Sequence, residues 1–591
     1  MEKLSQRDKS IFFILGGPPM WDSGIRRKQL PKRCLASAAH FAARAPAGSS
    51  LKDLKTRKRG LPGVLLVAII TTCGVSPSWG QGASAAPDEA AGTQCKALER
   101  ANFSGIQDAP TQIIGANVVE ARGKDPAYCQ VSGYVEPQVG FELRLPIANW
   151  NGKFFEVGCG GACGHLHWTF WCPTDKGYAC MVADMGHKGK DNDGLWAVNN
   201  LQAQIDFGYR GPHVAALAGK AITEHYYGKA PKYSYFRGCS TGGRQALVEA
   251  ERYPWDFDGI IGGAPWIDDS DSAMNYVWAY RALKGTDGKL IVSPADLQLV
   301  HDAAVAKCDM DDGVKDGVIS NPPACNFDPS ELVCKAGKTV GCLTDMQADA
   351  VKKVYDGPRN SKGERIFTRG AEPGSELAWL DTYTGSDDVY GHKLGDDEEW
   401  TLEYFRYMVI PPSGPCWQMT DYDFDRDYKR FSTGVQEPLL SAANADLRKF
   451  KAAGGKLMIY QGWSDQDVAP EKTIDFYETV QRTMGGRAAT ESFFRLFMVP
   501  GMRHCSSGDG PFAIDWVSAM EAWVEHDQAP NVMIGAHVQG LDWFQAVDLK
   551  FPLDPATPIS FTRPIYPYPL RAKYKGSGDP NKAENFMPVG P

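Results

Sequence analysis

Residues 233–244 read YSYFRGCSTGGR, and the fold is decided there. A β-prone run ends in Gly238-Cys239-Ser240-Thr241-Gly242, a GxSxG pentapeptide, and a helix-compatible stretch, QALVEAER, follows. Strand, Gly-flanked turn and helix is the setting in which GxSxG forms a nucleophile elbow. The turn strains the serine, and its neighbours must lack side chains for strand and helix to approach. Ser240 then projects its hydroxyl where a base can reach it.

A serine needs a histidine to take its proton and a carboxylate to hold the imidazolium. In α/β-hydrolases the chain order is Ser, then Asp or Glu, then His. Downstream, KLMIYQGWSDQDVAP supplies an apolar strand over 456–461 and a loop carrying Asp465 and Asp467. FFRLFMVPGMRHCSSGDGP supplies a second apolar strand over 493–499 and a Pro-Gly loop carrying His504. Acid and histidine both follow a strand end, where open α/β sheets build their sites. The two other histidines past Asp465 have weaker contexts: His526 ends a helical run, and His537 has no distinctive surroundings.

Cys239 precedes Ser240, and Cys505 follows His504. If serine and histidine meet, these neighbours come within the Cα separation of about 4.4–6.8 Å that a disulfide needs. The bridge would clamp two loops far apart in sequence.

Residues 308–325 read CDMDDGVKDGVISNPPAC. Asp309, Asp312 and Asp316 stand in a Gly-punctuated loop between two cysteines. Hard oxygen ligands at short spacing suit Ca²⁺. The loop is not an EF-hand, because Gly313 stands where a third acid belongs and no Glu closes a twelve-residue loop.

The chain has 591 residues, more than one compact core usually supports, so a core with an insertion is expected. Its formal charge is −8. The first 85 residues hold 14 Lys/Arg against 4 Asp/Glu, leaving 49 basic and 67 acidic residues in the remainder. That balance argues against nucleic acid or an anionic membrane as partner. KTRKRG (55–60), LPGVLLVAIITTC (61–73) and Ala83-Ser84-Ala85 form the n-region, h-region and small-residue cut of a secretory signal. The apolar run is too short for a membrane span. A lipoprotein signal at Cys73 is the weaker alternative, since Thr72 is large for that position. Thirteen cysteines behind such a cut imply disulfides in an oxidising compartment.

Strand-like runs (FELRLPI, GKFFEVG, GYACMVADMG, YSYFRG, GIIGGAP) alternate with helical ones, which reads as a parallel α/β sheet. After Trp266 the strands stop, and the sheet pattern resumes at Lys456. The expected organisation is an upstream extension over 1–54 and a signal peptide over 55–85. An α/β-hydrolase core over 86–266 and 447–591 is then split by a mostly helical, calcium-binding lid over 267–446. Trp400, Tyr404, Phe405, Tyr407, Trp417 and Tyr422 lie in the lid, and a few are expected to face a planar substrate ring.

In GCSTGGRQAL, GIIGGAPW (259–266), GWSDQDVAP and PGMRHC the chain resembles the tannase/feruloyl esterase family of α/β-hydrolases over roughly residues 95–585. The resemblance implies a secreted or periplasmic serine esterase with Ser240, Asp465 and His504 as triad. It places Asp465, first after its strand, in the acid position, and joins Cys239 to Cys505. With the spacing, it pairs Cys95 with Cys129, Cys308 with Cys325 and Cys334 with Cys342. Cys159, Cys163, Cys172, Cys180 and Cys416 are left over, an odd number that leaves one free or bridged elsewhere. A zinc site among the first four is the alternative to further disulfides. The oxyanion hole is expected from the amide of Thr241 and from the loop KFFEVGCGGACG (153–164), at Gly160 or Gly161, with Gly161 preferred. A structural calcium is implied on the side chains of Asp309, Asp312 and Asp316 and the carbonyls of Val314 and Val318. Arg503 departs from the pattern, bringing charge to a position expected to be small or variable. The implied substrates are carboxylic esters of small aromatic acids, feruloyl or galloyl. Terephthalate monoesters, or a peptidase or acyl-transferase reaction on the same triad, are the alternatives.

Overall fold

The structure is a computed structural model that describes residues 89–590, apart from 124, 287 and 385–395. The expected extension and signal peptide lie outside the described residues. A nine-stranded sheet organises the chain, in the order β1-β2-β3-β5-β4-β6-β7-β8-β9. Its strands are β1 (Thr111–Val119), β2 (Tyr128–Val135), β3 (Val139–Pro146), β4 (Lys153–Val157), β5 (Ala179–Ala183), β6 (Tyr233–Cys239), β7 (Gly259–Gly263), β8 (Lys456–Gly462) and β9 (Phe494–Val499).

The sheet is mixed, which corrects the expectation of a parallel sheet. β1 to β3 run antiparallel, and β3 meets β5 antiparallel. From β5 through β4, β6, β7 and β8 to β9 every pair is parallel. The cause is connection length. Three residues link β2 to β3, and so short a link can only reverse the chain, whereas parallel neighbours need a crossover. Burial follows the same division. β2 alternates half-buried and buried, as a strand with one core face does, while β5 and β7 are buried throughout.

Helices cover both faces of the parallel half. Gly259 and Gly262, three residues apart on β7, present their Cα hydrogens to opposite faces. A side chain at Gly259 would meet Met520 of the helix Trp516–His526, and one at Gly262 would meet Ala246 of the helix Thr241–Arg252. Between β7 and β8 the described chain contributes no strand to the sheet. It forms helices such as Asp269–Leu283, Pro294–Cys308 and Asp345–Asp356. This insertion separates the serine elbow from the acid loop in sequence. Its aromatics pack mainly on one another. Trp400 stacks on Tyr404 at 5.1 Å and meets Trp266 at 4.8 Å, while Phe405 contacts Trp417 and Tyr422. All five of these insertion aromatics are buried, and only Tyr407 of the six is partly exposed.

Among the described residues six disulfides join Cys95–Cys129, Cys159–Cys163, Cys172–Cys180, Cys239–Cys505, Cys308–Cys325 and Cys334–Cys342. Four of the five leftover cysteines therefore pair locally, and Cys416 is disulfide-bonded as well. The zinc alternative falls, because no thiolate remains among those four to bind a metal. No helix among the described residues is long and apolar enough to cross a membrane.

Arg244 fastens the insertion to the core. Its guanidinium is fully buried and donates to the carbonyls of Phe207, Gly208 and Leu440. Removing it strands three buried acceptors. Arg244→Met is expected to lose about 2–5 kcal/mol of stability, read by denaturant unfolding. An unchanged midpoint would show that the buried guanidinium carries no such load.

Candidate active site

Ser240 sits between β6 and the helix Thr241–Arg252 with φ +62° and ψ −121°, a conformation that L residues rarely adopt. The elbow closes because its glycines have no side chains. A Cβ on Gly238 would run into the backbone of Gly242, and one on Gly243 into Gly263 and Pro265. Backbone bonds hold the turn from outside: the Ser240 N–H donates to Gly263, and the Ser240 carbonyl accepts from the N–H of Trp266.

Thr241, the first helical residue, donates its hydroxyl to the Gly161 carbonyl at 2.7 Å. This docks the loop 158–163 against the elbow. Within that loop the N–H of Gly158 donates to Arg237, Cys159 to the Gln245 side chain, Ala162 to Asp191 and Cys163 to Gly160. The N–H groups of Gly160 and Gly161 have no acceptor among the described residues, and neither has that of Thr241. Thr241 also begins a helix, whose N-terminus carries partial positive charge. Three amides beside the serine are thus available to an anion.

Asp465 follows β8, and its carboxylate is almost fully buried. It accepts from Gln461 Nε2 at 2.8 Å and from the N–H groups of Asp467 and Val468 at 2.9 and 2.8 Å. So fixed, it faces His504 Nδ1, with both oxygens at 3.1 Å. The two loops are also joined through backbone: Ser464 N–H donates to the Met502 carbonyl, and a side chain at Gly462 would collide with Met502. Trp543 Nε1 donates to the His504 carbonyl at 2.8 Å. The Cys239–Cys505 bridge, with a Cα separation of 5.8 Å, ties the histidine loop to the serine elbow.

Asp467 stands at the other ring nitrogen, with Oδ2 3.7 Å from His504 Nε2. The imidazole therefore lies between two carboxylates. Burial pushes its pKa down. The charges of Asp465 and then Asp467, with the Asp465 hydrogen bond, outweigh burial and hold it up at about 9.

Sequence reasoning missed several contributors. Gln461 and Trp543 have no motif of their own, and they act by orienting Asp465 and the His504 backbone. Asp467 is visible as a second acid in GWSDQDVAP, but its position at Nε2 is not.

The aspartate loop lies apart from these residues. Asp309 accepts from the N–H groups of Asp316 and Gly317, Asp312 from Val314, and Asp316 from Val318 and from Arg563 at 2.5 Å. Burial raises Asp312 to about 7, against the Val314 hydrogen bond, and the charge of Asp316 adds to the rise. Asp316 and Asp309 lie near enough to Asp312 to act on it by charge, opposed by Arg563. No described group donates a hydrogen bond to the carbonyls of Val314 or Val318. Hard oxygen donors are the ligand type that Ca²⁺ takes. A cavity of about 500 Å³ adjoins this loop, lined by Asp312, Asp316, Arg563, Trp463, Tyr566 and Tyr568 among others. Ser240, Asp465 and His504 do not line it.

Mixed sheet, strained serine elbow and buried Asp–His pair together define an α/β-hydrolase architecture. Residues 118–589 match the family model described as tannase and feruloyl esterase. An uncharacterised esterase of Xanthomonas campestris is 34% identical over 504 residues, spanning 78% of this chain and 84% of the relative. The mono(2-hydroxyethyl) terephthalate hydrolase of Piscinibacter sakaiensis is 32% identical over 531 residues, spanning 79% and 85%. Among solved structures, feruloyl esterase B of Aspergillus oryzae superposes with a TM-score of 0.73 at 25% identity, covering 84% of this chain and all of that one. The chain belongs to the tannase and feruloyl esterase family, and it is a carboxylic ester hydrolase.

The two carboxylates at His504 are expected to separate on substitution. Asp465→Asn, which removes the partner of Nδ1, is expected to lower kcat about 10⁴-fold. Only a neutral imidazole accepts a proton, so kcat/KM should climb with pH until the ring is deprotonated near 9. Asp467→Asn removes one of the charges that favour the imidazolium and should shift this limb to lower pH, leaving the plateau kcat within about tenfold. A larger kcat loss in Asp467→Asn than in Asp465→Asn would exchange the two roles.

Proposed function

We propose that the chain is a secreted serine esterase that hydrolyses carboxylic esters of small aromatic acids. Ser240 Oγ attacks the ester carbonyl while its proton passes to His504 Nε2. Asp465 holds the imidazolium through Nδ1. The negative charge developing on the carbonyl oxygen is met by the N–H groups of Thr241 and Gly161, beside that of Gly160. The tetrahedral intermediate collapses, the ester C–O bond breaks, and His504 returns the proton to the departing alcohol. Water then attacks the acyl-serine, giving its proton to His504, and a second collapse frees the acid and restores Ser240. The reading is carried by the joining of two constellations. A strained serine beside unpaired amides is bound through Cys239–Cys505 to the loop of a histidine already held by a buried aspartate.

Secretion is supported by the disulfides and by the basic-apolar-small pattern of residues 55–85. A terephthalate monoester is the second substrate reading, favoured by the similarity to the Piscinibacter enzyme. Purified protein assayed on methyl ferulate, methyl gallate and a terephthalate monoester decides between them. The expected outcome is turnover of at least one aromatic ester and no cleavage of the matching amide. Ser240→Ala should reduce that turnover by about 10⁴-fold or more with an unchanged fold. A variant that keeps a tenth of wild-type turnover would remove Ser240 as nucleophile.

Calcium is proposed at the aspartate loop, held by the carboxylates of Asp309, Asp312 and Asp316 and the carbonyls of Val314 and Val318. Its role there is structural, ordering the insertion next to Arg563. A ligand bound only by the folded chain stabilises it by mass action, about 2.7 kcal/mol at a hundredfold excess over Kd. Excess EGTA should therefore lower Tm, and calcium should restore it. An unchanged Tm, with no calcium by elemental analysis, would contradict the site.

A further inference from the structure

His165, His167 and Asp191 converge beside the loop 158–163, outside the residues assigned above. One ligand atom from each lies within 4.8 Å of the others. The two histidines are two residues apart, and their rings stack with centroids 3.7 Å apart. His165 Nε2 is hydrogen-bonded to Asp191 Oδ1, and its Nδ1 is buried without a partner. The His167 ring is exposed to solvent, and the Asp191 carboxylate is about half exposed.

The backbone under the cluster is braced. The Ala162 N–H donates to the Asp191 carbonyl, the Gly189 N–H to Gly164, and the Gly164 N–H to Asp184. His187 is hydrogen-bonded through Nε2 to the Ala162 carbonyl and stacks on Trp196. Two loops, 158–167 and 184–193, are thus laced together, and they hold the three donors side by side.

We propose that His165, His167 and Asp191 form a binding site for a first-row transition-metal dication of the Zn²⁺ type. Two imidazoles and one carboxylate are a donor set that such ions take, with Zn–N and Zn–O distances of about 2.0–2.2 Å. Tetrahedral coordination at those lengths sets neighbouring ligand atoms about 3.3 Å apart, so binding requires the two rings to part from their stack and His165 Nε2 to open from Asp191 Oδ1. Ca²⁺ prefers an all-oxygen shell, so this site and the aspartate loop select different ions. The ligating rings must be unprotonated, so binding weakens as pH falls. A fourth position facing solvent would hold water. The place has a consequence, because Asp191 abuts Gly161, whose carbonyl receives the Thr241 hydroxyl. A metal on Asp191 would brace the loop that carries the unpaired amides.

The test uses the full chain, stripped with EDTA, saturated with Ca²⁺ and titrated with Co²⁺ and with Zn²⁺. Expected are one further equivalent bound, a visible Co²⁺ absorption of low coordination number, and a Tm raised by Zn²⁺. His167→Gln alters an exposed ring and leaves the core intact. It should weaken Co²⁺ binding at least tenfold, and Asp191→Asn should do the same. Absence of binding beyond calcium would overturn the proposal. So would Co²⁺ binding of wild-type strength in both variants, which would place the ion elsewhere, as at His504 with Asp465 and Asp467. In that event Zn²⁺ would block ester hydrolysis, and His167→Gln would not relieve the block.

Discussion

One covalent bond, Cys239–Cys505, sets the relation between the two halves of the proposed catalytic machinery. Ser240 leaves the end of β6 and His504 leaves the loop after β9, with β7 and β8 between them in the sheet. Three strand spacings amount to about 14 Å at the level of the sheet. The loops must therefore lean toward each other, and backbone ladders do not determine where loops meet. The bridge does, by fixing the residue before the serine against the residue after the histidine. It closes 266 residues of sequence, and by loop entropy alone it would add roughly 5 kcal/mol of stability. The glycines of the elbow and the contact of Gly462 with Met502 then remove the remaining freedom of the two loops.

Electrostatics depends on that placement. His504 is buried, which by itself disfavours its charged form. Asp465 is almost fully buried and receives three hydrogen bonds besides the histidine's. Adding Asp467 at the opposite nitrogen over-stabilises the imidazolium. On the proposed reading this favours the state that forms after the serine proton has moved, at the expense of the free base at neutral pH.

Much of this was legible in the sequence, for reasons of locality. GCSTGGR encodes much of its own turn: Gly238 is required by Gly242 within the motif, while Gly242 meets Gly158 and Cys159 past β4, and Gly243 meets Gly263 and Pro265. The loops after β8 and β9 could be read because an apolar strand followed by Asp465 or His504 is a short-range pattern. The bond between Cys239 and Cys505 followed from the meeting of their neighbours. What could not be read depends on long-range packing. β1 and β2 escaped notice because alternation over half-buried residues is weak beside the solid apolar runs of β5 and β7. The pairing of Cys159 with Cys163 and of Cys172 with Cys180 is local, yet spacing alone suits a metal site equally well. A few of the insertion aromatics were expected at the substrate; those described pack largely into the insertion's core, which depends on the return of the chain from a distant segment and on burial against Trp266. Asp467 was visible as a residue, but its approach to Nε2 depends on the turn that Asp465 organises.

The most direct test of this account is the steady-state kinetics of Cys239→Ala/Cys505→Ala on an aromatic ester, measured well below the variant's own melting temperature. The account predicts a folded protein with a lowered Tm and a kcat reduced about 10²-fold or more, because a displacement near 1 Å between reacting groups has that effect. Unreduced wild-type peptides should carry Cys239 linked to Cys505. A double variant with lowered Tm but wild-type kcat would contradict it, showing that the bridge stabilises the fold without setting the geometry of serine and histidine.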